Sequence, residues 1–214
     1  MIYGTKKFDH LLGVAGLSNQ LLENHFALYN GYVANTNKLA EEMEKYQKEE
    51  GATATLQFAE LKRRFGWEWN GMRLHEYYFG NIAKEKIEFD ESSILGAQIK
   101  KDFGDFGRWK KDFLAAGAMR GIGWVILYFD PAVQKLFNVW VNEHDMGHLS
   151  GAQPILVMDV FEHAFMLDYG TKKADYLEAF LKITDWEVVG DRYDWATRIA
   201  EVKPKEIDHF GCRC

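Results

Sequence analysis

Cysteine is almost missing from this chain: Cys212 and Cys214, at the extreme C-terminus, are the only two. A disulfide-stapled fold is excluded, and two thiols so close to a chain end are more often incidental than a chelating or redox pair. Long apolar runs are missing too. None approaches the roughly 18 residues of a membrane-crossing helix. The stretch Met1 to Lys7 leads into mixed polar and apolar residues with no apolar signal core, so a cytoplasmic protein with no membrane partner is expected. Positive charge is in deficit, with 26 Lys and Arg against 32 Asp and Glu and a formal net charge of −6. That balance argues against a general nucleic-acid binder. It leaves room for a small anionic substrate, because a local cluster of cations outweighs net charge at short range. Repeats and low-complexity segments are absent as well. What is present is 214 residues with 47% hydrophobic and 15% aromatic content, enough for a sizeable core in one or two domains.

Periodicity places the elements. Ser18 stands where it can cap a helix whose Leu21, Leu22, His25, Leu28, Tyr29, Tyr32, Val33, Thr36, Leu39 and Met43 recur at helical spacing toward Glu50. Ala52 to Arg64 reads as a weaker second helical segment, and Asn70 to Asn81 as an aromatic helix packed antiparallel to the first. Asp90-Glu91-Ser92-Ser93 is a capping pattern that puts a domain boundary near residue 89. Helices follow at Ile94 to Phe103 and Phe106 to Ala118, the second capped by Asp105. Strands come next at Gly121 to Asp130, Lys135 to Val141 and Pro154 to Asp159. Tyr176 to Asp185 and Asp194 to Val202 read as closing helices. The order predicts an α+β fold. An N-terminal long α-helical hairpin domain (1–89) precedes a C-terminal domain (90–200) with a three-stranded antiparallel sheet flanked by helices, then a tail (201–214).

Ile155 to Met158 read as a strand buried on both faces. Such a strand should not run into Asp159-x-x-Glu162-His163 unless those groups have partners, since an unpaired buried charge costs several kcal/mol. Asp159 and His163 stand four apart where the strand gives way to a helix. They are either a core histidine bonded to an aspartate or two ligands of a metal site. His25 and His75 are isolated imidazoles among rings, each readable as core packing. Seven residues fall only about 20° short of two helical turns, so His25 and Tyr32 share a helix face with Tyr29. Facing helices could bring His25 and His75 together in the bundle core.

With these four residues in view, the chain resembles the iron/manganese superoxide dismutase family, over residues 8–195. The family signature Asp-x-Trp-Glu-His-Ala-Tyr is read here as Asp159-Val160-Phe161-Glu162-His163-Ala164-Phe165. Gly121-Ile122-Gly123-Trp124 is similar to its Gly-x-Gly-Trp, and Asn70 to His75 to its second ligand segment. Ala174-Asp175-Tyr176-Leu177 and Asp185-Trp186 fit its closing helices. The resemblance implies one Fe or Mn ion per subunit held by His25, His75, Asp159 and His163, with a fifth position for water or hydroxide. It implies conversion of superoxide to dioxygen and hydrogen peroxide by alternating M(III)/M(II) one-electron steps. Tyr32, Trp124 and His144 are the implied catalytic residues. His144 stands in for a Gln with which many relatives hold the bound solvent, a role Gly71 cannot fill. Glu162 is implied to bond His163 of a second subunit, hence a homodimer or dimer of dimers.

The chain also departs from the family pattern. Most relatives have eight residues from the first ligand to the active-site Tyr, whereas His25 to Tyr32 is seven; a gapless alignment puts Asn24 at the ligand position. Asn is a poor ligand for a redox metal, and seven residues need no helix bulge. At the usual gateway positions stand Leu28, Tyr29 and Met166. Arg73, Lys172 and Lys173 are the candidate cations for drawing in an anion. A member that has lost activity and serves as a structural or metal-binding subunit is the alternative, and such a chain should have lost ligands. A non-haem iron oxygenase with two His and a carboxylate would need positions that a third His fills here. Iron and manganese are not distinguished.

Overall fold

The computed structural model describes residues 2–201. Val202 and the tail with Cys212 and Cys214 lie outside the described residues. Helix α1 (Asn19–Lys48) begins where the Ser18 hydroxyl accepts the Leu21 N–H at 3.1 Å, and it runs unbroken as α-helix. No bulge is needed between His25 and Tyr32, as the seven-residue spacing requires. After a short 3-10 turn at Ala52–Ala54, α2 (Leu56–Phe79) starts from a Thr55 cap at 3.2 Å. It is one continuous helix where the sequence reading breaks it into two. Glu68 is the reason: it lies on the inner face, 3% exposed, with Arg64 as ion-pair partner at 2.8 Å, and so interrupts the apolar period. The pairings His25–His75, Tyr29–Glu76 and Asn35–Glu68 set the two helices antiparallel.

The second half opens with α3 (Ile94–Phe103) and α4 (Phe106–Gly117), capped by Ser93 at 3.0 Å and Asp105 at 2.7 Å. Strands β1 (Gly123–Asp130), β2 (Lys135–Asn142) and β3 (Gln153–Asp159) form an antiparallel sheet in the order β2-β1-β3. The α+β arrangement is the expected one. Central β1 is buried nearly throughout, as its unbroken apolar run requires. Pro154 pairs with Tyr128 beside a register shift, where a missing N–H is tolerated. At the other end of the same ladder Trp124 pairs with Asp159. The sheet thus delivers an indole and a carboxylate side by side to its edge.

Beyond β3 the chain makes one 3-10 turn, Glu162–Ala164, then α5 (Met166–Tyr169), α6 (Lys173–Lys182) and α7 (Trp186–Glu201). The last two differ from the expected Tyr176 to Asp185 and Asp194 to Val202. Asp185 does not end a helix but starts one: its carboxylate accepts the Val188 N–H at 3.1 Å. Asp168 ties α5 to the start of α1, accepting the Ser18 N–H and hydroxyl at 2.7 Å each. Among the described residues no helix is long and apolar enough to cross a membrane.

Candidate metal centre

His25 from α1, His75 from α2, Asp159 from the end of β3 and His163 from the 3-10 turn converge, each offering a ligand atom within 4.8 Å of the others. Asp159 Oδ2 is the hub. It lies 3.1 Å from His25 Nε2, 3.2 Å from His163 Nε2 and 3.8 Å from His75 Nε2. Its other oxygen accepts the Phe161 N–H at 2.8 Å, and its backbone carbonyl accepts the Tyr176 hydroxyl at 2.6 Å, so the carboxylate is clamped from both ends. His25, His75 and Asp159 are fully buried, and His163 keeps a quarter of its side chain exposed. Asn24, the rival ligand position, faces solvent and pairs with Gln20.

Protonation shows what this constellation can accept. The His75 Nδ1–H donates to the Gly71 carbonyl at 2.5 Å, which leaves Nε2 as a bare lone pair with no hydrogen-bond partner. That lone pair faces a carboxylate oxygen, and burial and the neighbouring His25 hold the imidazole well below its usual range, so it stays unprotonated. Two acceptors aimed at each other in a dry pocket are stable only with a cation between them. Burial also lowers His25, against the pull of Asp159. Burial opposes ionisation of Asp159, yet His163 and His25 hold its carboxyl well below the usual range; His163 is correspondingly raised, Asp159 outweighing its own burial. Three nitrogens and one carboxylate oxygen suit a borderline divalent or trivalent transition metal.

Residues 91–192 match the family model described as iron/manganese superoxide dismutases, C-terminal domain. The chain is 34% identical over 186 residues to superoxide dismutase (Mn) 2 of Haloferax volcanii, across 86% of this chain and 91% of that one. This chain belongs to the iron/manganese superoxide dismutase family. It is equally similar to a superoxide dismutase (Fe) of Aquifex aeolicus, at 33% identity over 199 residues, 90% of this chain and 92% of the relative. Relatives named for either metal are thus found at 33–34% identity to this superoxide dismutase family member.

Around these four residues, His144, Tyr32 and Trp124 are linked in a fixed direction. Trp124 Nε1–H can only donate, and it donates to His144 Nδ1 at 3.1 Å. Burial pushes the His144 imidazole down to about 4, so at neutral pH it is uncharged and its Nε2–H donates to the Tyr32 hydroxyl oxygen at 2.8 Å. Tyr32 keeps its own hydrogen free to donate, and burial first, then the charges of Asp159 and Glu68, hold its phenol well above the usual range. The ring of His148 does not pair with that of His144; its Nε2 donates to the His144 backbone carbonyl at 2.8 Å.

The depressed His144 value predicts a pH effect. Below about 6.5 the unfolded chain takes up a proton that the folded chain refuses until about 4, so stability falls across that window and levels off beneath it. The loss is on the order of 3 kcal/mol. Chemical denaturation at stepped pH is expected to show this slope in the wild type and a shallower one in His144→Gln.

Gly71 is a second point of leverage. A Cβ there would lie 2.6 Å from Tyr32 Cδ1 and 2.8 Å from Cε1. Gly71→Ala must therefore push the Tyr32 ring off His144, while α2 gains up to about 1 kcal/mol in helix propensity. Turnover is expected to fall with little change in thermal midpoint, a split that steady-state kinetics and calorimetry on one sample can check.

The gateway positions behave differently from one another. Leu28 and Met166 are exposed at 42% and 43%. Tyr29 is fully buried and donates its hydroxyl to Glu76 at 3.0 Å. Of the candidate cations, Arg73 pairs with Glu76 at 2.8 Å and lines a cavity of about 590 Å³ that none of the four clustered residues lines. Lys172 is exposed. Lys173 lies over the Trp140 ring at 5.3 Å, and burial lowers its ammonium group while the charge of Asp159 raises it. The residue sequence reasoning missed is Trp67, whose indole packs against both His144 and Tyr32. Had α2 been read as one helix, the four-residue steps Trp67, Gly71, His75 would have set it on the ligand face.

Proposed function

We propose that this chain is a superoxide dismutase that holds one iron or manganese ion per subunit through His25, His75, Asp159 and His163. The observation that carries the reading is the unpartnered His75 Nε2 facing Asp159 Oδ2 inside a ring of three imidazoles. Bound there, the ion supplies a one-electron redox couple able to take an electron from one superoxide and pass it to another. The balance is two superoxide anions and two protons in, one dioxygen and one hydrogen peroxide out. The protein's part is to hold the donors and manage the protons. Tyr32 keeps a donatable hydrogen beside His75, the ring centroids being 5.1 Å apart. His144 and Trp124 fix the phenol by occupying its acceptor side, and the buried rings exclude bulk water. Glu162 is exposed next to His163, which supports the reading that it reaches the metal-ligating imidazole of a second subunit in a homodimer or dimer of dimers.

Elemental analysis of purified protein paired with superoxide decay after pulse radiolysis tests the proposal. Stoichiometric iron or manganese with decay far above background is the expected result. A full metal complement with background decay would overturn the enzyme reading while leaving the metal site.

A further inference from the structure

His144 depends on a turn that is not at ease. It follows β2, where Asn142 and Met146 bridge through an N–H to carbonyl bond of 2.8 Å. The residue before His144 is Glu143, at φ +51°. That left-handed conformation strains a residue with a side chain and costs glycine almost nothing. The Glu143 backbone recovers little, its N–H reaching the Ile122 carbonyl at 3.3 Å. Asp145, Met146 and Gly147 are exposed, so packing does not hold the turn from outside.

What distinguishes Glu143 from a glycine is its carboxylate, which accepts the Trp67 Nε1–H at 3.1 Å. The same indole stands edge-on to His144 at 4.5 Å between centroids and 5.6 Å from Tyr32. Its outer face is covered by the Arg64 guanidinium at 4.0 Å, and Arg64 is anchored in turn by buried Glu68 at 2.8 Å. The chain Glu68–Arg64–Trp67–Glu143 therefore runs from the inner face of α2 to the strained residue that aims His144.

We propose that Trp67 is a positioning residue: through Glu143 it holds the turn after β2 in the shape that keeps His144 on the Tyr32 hydroxyl. It is not one of the four clustered residues and acts through the His144 and Tyr32 rings it packs against. The inference rests on the metal-site reading solely for its redox readout.

Amide hydrogen exchange at residues 143–146 in the full-length protein as purified tests the clamp by itself. Trp67→Phe, which keeps a ring against His144 but loses the N–H, and Glu143→Ala are each expected to speed exchange there about tenfold, the size of one charge-assisted hydrogen bond. Glu143→Gln, whose amide oxygen still accepts, is expected to restore protection. The double variant Trp67→Phe/Glu143→Ala is expected to exchange no faster than either single one. In the loaded protein, both single variants should shift the midpoint potential of the metal in the same direction. Exchange that is unchanged in Trp67→Phe, or effects that add in the double variant, would overturn the clamp. Failure of the wild type to load iron or manganese would strike the metal-site reading alone, since the exchange result stands without it.

Discussion

Asp159→Asn is expected to leave a folded chain that no longer retains iron or manganese. The substitution is nearly isosteric, so its effect comes from charge and from the direction of one amide. Oδ1 of Asp159 accepts the Phe161 N–H at 2.8 Å, a donor fixed in the backbone. The new carboxamide must keep its oxygen on that side. Its NH2 then occupies the hub now held by Oδ2, between His25 at 3.1 Å and His163 at 3.2 Å. A donor group stands where a ligand is required, and the negative charge that balances the cation is gone. The loss in affinity should exceed the roughly 10–100-fold that follows removal of an outer-shell partner. Near-ultraviolet circular dichroism should remain native, because the side chain keeps its shape and its bond from the Phe161 N–H, and the NH2 can donate to imidazole nitrogens that have given up their protons. Stoichiometric metal in the purified variant would refute this account of the hub.

Gly123→Ala is expected to be the most destabilising single methyl in the molecule. Gly123 opens β1 at φ +144°, and a Cβ built there would lie 2.0 Å from the Val141 carbonyl oxygen and 3.1 Å from the Glu143 nitrogen. Both obstacles are backbone, so no side chain can swing away. The ladder between β1 and β2 would have to open at the end that carries Trp124, and the Gly123 carbonyl would release the Val160 N–H it accepts at 2.9 Å. A cost above about 4 kcal/mol follows, in the exceptional range for one substitution. Urea titration gives the measurement, with Gly31→Ala as control. Nothing lies within 4 Å of a Cβ at Gly31 on α1, so that change should be neutral or stabilising by up to about 1 kcal/mol.

The fold was legible in the sequence wherever local chemistry is self-announcing. Ser18 and Asp105 cap the helices they were expected to cap, and the apolar run of β1 is the central strand. Two elements were misjudged because a polar residue does an inward-facing job there. Buried Glu68 hides the continuity of α2, and Asp185 looks like a helix end when it is a helix start. The four-residue cluster was legible because imidazoles and a carboxylate in apolar surroundings demand partners, and the structure brings all four together. The direction of the hydrogen bonds through His144 was not, since it depends on which ring nitrogen meets the Trp124 N–H across the sheet. The strain at Glu143 was not legible either, because nothing in its side chain signals a left-handed backbone.

The hub of the cluster joins residues far apart along the chain, His25 and Asp159 being separated by 134 positions. Two of the four donors come from the helical hairpin and two from the segment that leaves the sheet. Neither pair alone encloses an ion, so a high-affinity pocket exists only once the hairpin has docked. Uptake and release of an ion are then expected to follow the parting of the halves. The choice between two chemically similar ions is then expected to be made as the chain folds and kept while it stays closed.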